Sequence, residues 1–264
     1  MPVAEVEVES LSNLVEEVLI KSREMPSDRF FWFRGLPKKS YSLKPGLLRD
    51  NKSYEAVRER EERLLARFRQ RSIAYWKDGY NQSFWDQLFS MQHYGLPTRL
   101  LDWSENLMVS AYFALQSRGA EDDANGDPPV IWCVDPIEWN RGTPSLSGYG
   151  ETIHVLTTVS EEIESYEPMS PRRQVKYPVA IFGTHNSERI VAQRGTFFVW
   201  GNSTDSLEEF CEGDVTANMT RYVLSGSPAS YFRDLQSLGF TETMVFPEMS
   251  YLAEELKRTE GWRI

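Results

Sequence analysis

The stretch FWFRGLPKKSYSLKPGLLR, from Phe31 to Arg49, is the most informative part of the chain, because it places an arginine and a glycine at the end of an aromatic run. Aromatic residues suit a half-buried pleated surface, so Phe30–Arg34 is predicted to form a short strand that Gly35 and Pro37 end. The guanidinium of Arg34 is a fixed fork of five donors that matches a carboxylate or a phosphate, and Gly35 permits close approach of a ligand to the backbone. The pattern indicates either a ligand-binding arginine or an internal arginine–carboxylate pair.

Length, charge and cysteine usage limit the class of protein. At 264 residues the chain can bury a large core, as one elaborated domain or two small ones. The acidic N-terminus and the lack of a long apolar run predict a cytoplasmic protein without membrane association. Cys133 and Cys211 form no CxxC motif, which argues against a disulfide framework or a zinc ribbon. The net charge of −10 disfavours non-specific binding of nucleic acid over the whole surface, but it is compatible with a local basic groove.

The apolar pattern predicts a helical first half and a strand-rich second half, separated by an acidic loop at Ala120–Pro129. Helices are predicted behind Ser10, at Tyr54–Trp76 and Phe84–Tyr94, from Ser227 to Gly239, and at Glu248–Lys257. Strands are predicted at Val130–Val134, Thr152–Thr158, Val179–Gly183, Arg189–Ala192, Thr196–Trp200 and Arg221–Leu224. This order favours an α+β fold in which the helical N-terminal half packs on a mixed or antiparallel sheet.

The helix predicted at Tyr54–Trp76 carries a run of arginines in its second half. They are Arg63, Arg67, Arg69 and Arg71. Such a run is either an ordinary solvated helix face or a patch that faces phosphates.

A second informative segment is MQHYGLPTRLLDWSENLMVSAYFAL, from Met91 to Leu115. Its middle holds five polar residues: Gln92, His93, Arg99, Asp102 and Ser104. Ser104 or Asp102 is the expected N-cap of the following helix, although so many polar groups in one turn also indicate a binding site. His93 is either a satisfied histidine at a helix end or a base, and Arg99 with Asp102 is predicted to form a partly buried network.

The third segment is THNSERIVAQRGTFFVWG, from Thr184 to Gly201. Glu188, Arg189 and Gln193 are predicted to lie on a strand–turn–strand, with Gly195 permitting the tight turn. Gln193 is then either a turn-capping amide or an amide that reads a ligand.

Together, these segments resemble a known family. The motifs are FWFRG, PGLLR at Pro45–Arg49, QHYGLPTRLLDWSENLMVSAYFA, RIVAQRGTFFV and FPEMSYLAEELK. They are similar to the FRG domain, which is named for its Phe-Arg-Gly motif. The resemblance implies an FRG domain at residues 30–258 behind an N-terminal helical extension at residues 1–29. Association with this family also implies a toxin or an antiviral defence effector.

The order of the three segments also resembles that of the arginine-type ADP-ribosyltransferases, which implies a split-sheet core and NAD as the substrate. In that resemblance Arg34 holds NAD, Ser104 is the serine-motif residue, and a late glutamate steadies the sugar cation. This chain lacks the Glu-x-Glu pair of that family ahead of RGTFFV. Gln193 lies near the position expected for the glutamate, and Glu188 is the nearest upstream carboxylate.

The departure leaves two functions open. Either Asp102 or Glu188 supplies the charge, with His93 as the base for a macromolecular acceptor that is protein or nucleic acid, or the cleft binds a nucleotide or a partner without turnover. The candidate catalytic residues are His93, Asp102, Ser104, Glu188 and Gln193. The candidate NAD-binding residues are Arg34, Gly35, Gln92, Arg99 and Ser104.

Other enzyme classes have less support. The chain contains no GxxxxGK[ST], GxGxxG, HExxH or GxSxG motif. Its histidines, His93, His154 and His185, are too widely spaced to predict a metal site. Abundant acidic residues keep a magnesium-dependent nuclease as an alternative, although no compact acidic motif indicates one.

Overall fold

The computed structural model describes residues 3–50, 52–76, 83–116, 126–167, 170, 175–184 and 187–262. Its strands are β1 (Val3–Val8), β2 (Trp32–Leu36), β3 (Leu100–Ser104), β4 (Val130–Val134), β5 (Val179–Ile181), β6 (Gly195–Val199) and β7 (Met219–Leu224). Its α-helices are α1 (Leu11–Arg23), α2 (Tyr54–Ser72), α3 (Phe84–His93), α4 (Leu107–Gln116), α5 (Pro136–Gly142), α6 (Glu188–Gln193), α7 (Leu207–Glu212), α8 (Pro228–Ser237), α9 (Glu242–Val245) and α10 (Met249–Thr259).

The strands form one sheet in the order β1-β7-β4-β2-β3-β6-β5. Only β1 and β7 run parallel, and the other neighbouring pairs are antiparallel. The expected α+β class with a mixed sheet is therefore confirmed. The first half of the chain contributes three of the seven strands, so helical and strand-rich halves are interleaved rather than separate.

The sheet opens at its centre, between β2 and β3. These two strands are paired at a single position, Phe33 opposite Ser104. Their outer neighbours are held much more fully, since β2 pairs with β4, and β3 with β6, over five positions each. The opening therefore lies between two otherwise well-paired halves of the sheet, beside the residues of β2 that follow Phe33.

Each face of the sheet is covered by an apolar core. One core is rich in tryptophan, and Trp32, Trp103 and Trp139 all pack against the ring of Phe198. The other core lies under α1, α4 and α8. Because both faces are covered, every residue of β4 is buried, as expected for a strand with the sequence VIWCV.

The N-terminal segment was expected to be helical but begins with an edge strand. Strand β1 pairs in parallel with β7 along its whole length. Glu5 lies opposite Arg221, and the two side chains form an ion pair, so the polar face of the strand is also matched. Helix α1 follows as predicted, with Ser10 accepting a hydrogen bond from the Asn13 amide at 3.1 Å.

Two of the predicted strands are wrong. Residues 152–158 contribute only one isolated bridge, Leu156 with Ile181. Arg189–Ala192 lies inside helix α6, which Ser187 caps by accepting from the Ile190 amide at 3.3 Å. The left-handed residue that ends α6 is Arg194 at φ 47°, so the tight turn falls one residue before the glycine expected to permit it.

The strand predicted at Phe30–Arg34 is shifted, because β2 begins at Trp32 and continues through Gly35 to Leu36, so Gly35 does not end it. The other predicted elements are confirmed, with α2 and α3 close to their expected bounds. Most of the acidic loop expected at Ala120–Pro129 lies outside the described residues. Across the residues that are described, no helix has the length and apolarity required to cross a membrane.

Candidate functional site

A cavity of about 340 Å³ lies at the opening between β2 and β3. Its volume is in the range of small-molecule sites, about 300–1,000 Å³. The polar residues that line it are Arg34, Arg49, Gln92, His93, Asp102, Ser104, Ser110, Arg189, Gln193 and Thr196. The structure thus brings most of the sequence-predicted site residues to one place.

Arg34 lies in the gap where β2 leaves β3. Its Nη1 donates to the main-chain carbonyl of Asp102, and its Nε is shielded from solvent with no hydrogen-bond partner among the described residues. Burial lowers the pKa of Arg34 to about 10, although the nearby Asp102 charge favours the protonated form. The side chain therefore stays cationic at neutral pH, with no ion-pair partner in the part of the chain that the structure describes.

Asp102 is held on the cavity wall by a short polar chain. The Nε2 of Gln92 donates to its Oδ2 at 2.7 Å, and the hydroxyl of Thr98 donates to the Oε1 of Gln92. Helix α3 and strand β3 are joined through these bonds, which fix the carboxylate. Among the described residues, Asp102 is the only carboxylate that lines the cavity.

Two further arginines line the cavity. Arg189 packs its guanidinium over the ring of Phe246, 4.6 Å from the centroid, and Arg49 donates from its Nε to the Lys44 carbonyl at 3.0 Å. Within the described part of the chain, neither forms an ion pair with a carboxylate. The cavity therefore presents three guanidinium groups and one carboxylate, in a chain whose net charge is −10.

His93 is the last residue of α3 and is half-buried at the cavity wall. Its burial lowers its pKa, the positive charge of Arg189 lowers it further, and Glu248 acts in the opposite direction. The imidazole is therefore neutral at neutral pH, the form that can accept a proton.

Ser104 and Gln193 are joined to each other. The hydroxyl of Ser104 donates to the Gln193 carbonyl at 2.7 Å and accepts from the Asn106 amide at 2.9 Å. The Nε2 of Gln193 donates to the Val245 carbonyl at 3.1 Å. Both side chains thus hold the end of α6 in place, and neither Ser104 nor Asp102 caps α4, because Asn106 accepts from the amide of Met108.

Buried polar atoms without partners concentrate at this cavity. Among the described residues five side-chain atoms are buried and unpaired, and three of them belong to cavity-lining residues. They are the Nε of Arg34, the Nε1 of Trp103 and the Oγ1 of Thr196. An unsatisfied buried donor costs about 1–3 kcal/mol, so its retention is typical of a functional site rather than of a core.

Comparison with known families agrees with the first three of the five FRG-like motifs. Residues 29–123 match the family model of the FRG domain. The matched stretch carries Arg34, Arg49, Gln92, Asp102 and Ser104, while the wall built by α6 comes from outside it. Neither the curated proteins nor the solved structures gave a match to the chain.

Arg99, a candidate NAD-binding residue within the matched stretch, lies outside this cavity. Its Nε donates to the Oε1 of Glu61 at 2.7 Å, and its Nη2 donates to the Oε2 of the same carboxylate. Its Nη1 donates to the main-chain carbonyls of Tyr166 and Trp200. Both charged side chains are only 3% exposed. The expected Arg99–Asp102 network is therefore not formed, because a carboxylate of α2 occupies the fork.

Gly35 has a packing role that differs from the expected one. A Cβ at this position would lie 1.8 Å from the Ser110 carbonyl oxygen and 2.7 Å from the Ala114 amide nitrogen. The missing side chain thus admits the backbone of α4, although Gly35 also borders the cavity.

Glu188 is exposed at the start of α6 and does not line the cavity. The sequence reasoning missed Arg49 as a site residue and named Arg189 without a role. The sequence did offer a signal for Arg49, because this residue ends the PGLLR motif. Among the described residues no cluster of His, Cys, Asp and Glu could hold a metal, and His185 lies outside them.

Proposed function

We propose that this protein is an ADP-ribosyltransferase-like enzyme that uses NAD to modify a macromolecule. One observation carries the proposal: Arg34, Arg49 and Arg189, which have no carboxylate partner among the described residues, line one cavity whose single described carboxylate is that of Asp102. Guanidinium groups without a carboxylate partner can bind an anionic ligand, and the carboxylate can stabilise a positive charge that develops on a bound substrate.

The residues present suit the diphosphate of NAD. The two phosphates carry two negative charges, and a guanidinium fork binds phosphate oxygens in a bidentate way. Arg34 has a buried donor without a partner, which a phosphate or ribose oxygen would satisfy after a small rearrangement. The opening of the sheet between β2 and β3 supplies the space for it.

The proposed reaction breaks one bond and forms one. The glycosidic bond between the nicotinamide nitrogen and ribose C1′ breaks, and its electron pair neutralises the pyridinium. The ribose becomes an oxocarbenium ion, an acceptor oxygen or nitrogen bonds to C1′, and the acceptor proton passes to a base. Water gives free ADP-ribose, and a macromolecular acceptor gives the modified product.

Asp102 is the residue that would stabilise the sugar cation. Its carboxylate is already oriented by Gln92, so no reorganisation is needed as charge develops. Glu188 lies outside the cavity wall, and the amide of Gln193 is engaged with Val245. Asp102 is exposed to solvent, so its charge would reach its full effect, about 3 kcal/mol or roughly 100-fold in rate, only where bound NAD excludes water from it.

The rival function is a module that binds a nucleotide without turning it over. The unpaired arginines support binding in both cases, whereas only Asp102 and His93 bear on turnover. Nicotinamide release from NAD therefore separates the two. Binding of NAD without release above a buffer blank would leave the binding module as the function.

Two substitutions should act on different quantities: Arg34→Lys on the affinity for NAD, and Asp102→Asn on the rate of nicotinamide release. Lysine keeps the charge but loses the fork, so NAD affinity should fall about 10- to 100-fold, which corresponds to about 1.5–3 kcal/mol for charge-assisted hydrogen bonds. Asparagine keeps an oxygen acceptor for Gln92 but removes the charge, so nicotinamide release should fall about 100-fold at saturating NAD. Calorimetry measures the affinity, and chromatography measures the release.

Arg233→Lys is the matched control, because Arg233 is an exposed arginine of α8 outside the cavity. Affinity and release should both stay at the wild-type values. Equal NAD affinity in Arg34→Lys would remove Arg34 from the site. Undiminished release in Asp102→Asn would show that another group supplies the charge.

A second prediction concerns the pH dependence of nicotinamide release. If neutral His93 accepts the proton, the rate at saturating NAD should rise with pH through a midpoint below that of an ordinary histidine, because burial and Arg189 lower the pKa of this histidine. Glu248 acts in the opposite direction, so Glu248→Gln should move the rising limb to lower pH. Nuclear magnetic resonance titration of the His93 ring gives the same pKa without any turnover.

His93→Gln is the control for this assignment, since glutamine does not titrate. The rising limb should disappear in this variant while NAD affinity stays within about twofold. A limb that persists unchanged in His93→Gln would assign the titration to a different group.

A further inference from the structure

We propose that a basic groove beside the cavity binds the phosphate backbone of a single-stranded nucleic acid, which is then the acceptor of the transfer proposed above. The groove has a volume of about 570 Å³. Its charged residues are Arg49, Asp50, Arg60, Arg63 and Arg67, and Leu47, Leu64 and Pro97 form apolar parts of its wall. The choice of acceptor rests on the proposed function, whereas binding to the groove does not.

Three of the groove arginines form a row along α2. Arg60, Arg63 and Arg67 follow one another at spacings of three and four residues, which places them on one face of the helix. The rise of 1.5 Å per residue separates them by about 4.5 and 6 Å along the axis. All three side chains are exposed. A row of exposed cations on a rigid helix suits a linear polyanion better than a compact ligand.

The acidic residues near the row offset only part of its charge. Asp50 pairs with Arg60, and Glu59 lies 3.4 Å from Arg63 in an exposed contact that is worth little. Arg67 and Arg49 have no carboxylate partner among the described residues. This local excess of positive charge is confined to one groove of a chain with net charge −10, so a nucleic acid would be repelled elsewhere.

The groove and the cavity are neighbours, because Arg49 lines both. A strand whose phosphates follow α2 would therefore meet the cavity wall at Arg49. This shared residue would place the acceptor next to the site of nicotinamide release in the proposed reaction.

Aromatic residues favour nucleic acid over an acidic peptide. Tyr41 is exposed and lines the cavity, and exposed Tyr94 packs edge-on against the ring of His93, with centroids 4.8 Å apart. Neither ring lines the groove, but Tyr41 shares the cavity wall with Arg49, and an exposed ring there is a platform on which an unpaired base can stack. Carboxylate side chains make no comparable contact. The arginine forks also match phosphate geometry.

The experiment measures binding of fluorescein-labelled 12-nucleotide RNA and DNA strands by anisotropy, across a range of salt concentrations. Contacts to about four phosphates give a slope of log K against log salt of about −2.8, at −0.7 per phosphate for single strands. The Arg63→Ala/Arg67→Ala double variant should reduce this slope to about −1.4. Binding of either the RNA or the DNA strand agrees with the prediction. The strand that binds more tightly identifies whether the groove prefers ribose or deoxyribose.

Arg233→Ala is the matched control, because it removes an exposed helical arginine from outside both cavities. Its slope should equal that of the wild type. No binding at low salt, a slope unaffected by the groove variants, or equal binding of a polyglutamate peptide of the same charge would overturn the proposal.

The same variants separate this proposal from the proposed function. Arg63 and Arg67 lie outside the cavity, so nicotinamide release to water should be unchanged in the double variant while transfer to the strand is lost. If the wild type binds the strand but releases no nicotinamide, the groove stands and the transferase fails. If nicotinamide is released but no strand binds, the transferase stands and the groove fails.

Discussion

Gly35→Ala is expected to lower the free energy of unfolding by at least about 3 kcal/mol, near the upper end of the cost of overpacking. The added Cβ would lie 1.8 Å from the main-chain oxygen of Ser110, and this atom belongs to the backbone of α4. A backbone atom cannot rotate away as a flexible side chain can, so the whole helix must shift from β2. Thermal unfolding measures the loss as a decrease of roughly 6–12 °C.

Gly148→Ala is the matched control, because a Cβ there would have no heavy atom within 4 Å and the backbone has no left-handed φ. Its melting temperature should stay within about 2 °C of the wild type. If Gly35→Ala were as stable as Gly148→Ala but bound NAD more weakly, the role first expected for this glycine, close approach of a ligand, would be the correct one.

The example of Gly35 indicates why sequence reasoning located this position but not its role. A glycine after an aromatic strand indicates that something approaches the backbone closely. Whether a ligand or a helix approaches depends on α4, which begins more than 70 residues later. Tertiary packing of this kind leaves no local pattern, so both interpretations were consistent with the sequence.

At two other segments the structure differs from the sequence prediction because two local sequence patterns pointed to different secondary structures. The segment at Val3–Val8 alternates valine with glutamate from residue 5, which is the period of a half-buried strand, but the helical spacing behind Ser10 led to the expectation of a helical extension. The run at Arg189–Ala192 has β-branched residues, yet Ser187 caps a short helix there. Short elements are decided by caps and neighbours more than by propensity.

Much of the candidate site could be predicted because its residues are close in sequence. Gln92, His93 and Asp102 lie within one turn-rich segment, and Arg34 is marked by its strand end. Arg49 and Arg189 reach the cavity from separate elements, and nothing near them in the sequence indicates that they meet. The partner of Arg99 is 38 residues away on α2, a long-range pairing that only the fold reveals.

Breaking the buried Glu61–Arg99 pair is expected to destabilise the protein by about 3–5 kcal/mol. Burial alone would lower the pKa of Arg99, but the charge and hydrogen bonds of Glu61 outweigh it and hold the pKa above its ordinary value. Arg99→Met leaves a buried carboxylate unpaired, and Glu61→Leu leaves a buried guanidinium unpaired. The Glu61→Leu/Arg99→Met double variant removes both charges and should recover most of the loss, which denaturant unfolding of all four proteins measures.

The exposed pair of Arg58 and Glu62 on the same helix is the control, with Nε and Oε1 separated by 2.9 Å. The same substitutions there should couple by only about 0.3–0.5 kcal/mol, because solvent screens both charges. Additive losses at Glu61 and Arg99 would mean that the pair is not formed. Since Arg99 lies outside the cavity, Arg99→Met should keep the NAD affinity of the wild type wherever it remains folded. A selective loss of affinity would instead return Arg99 to the binding site.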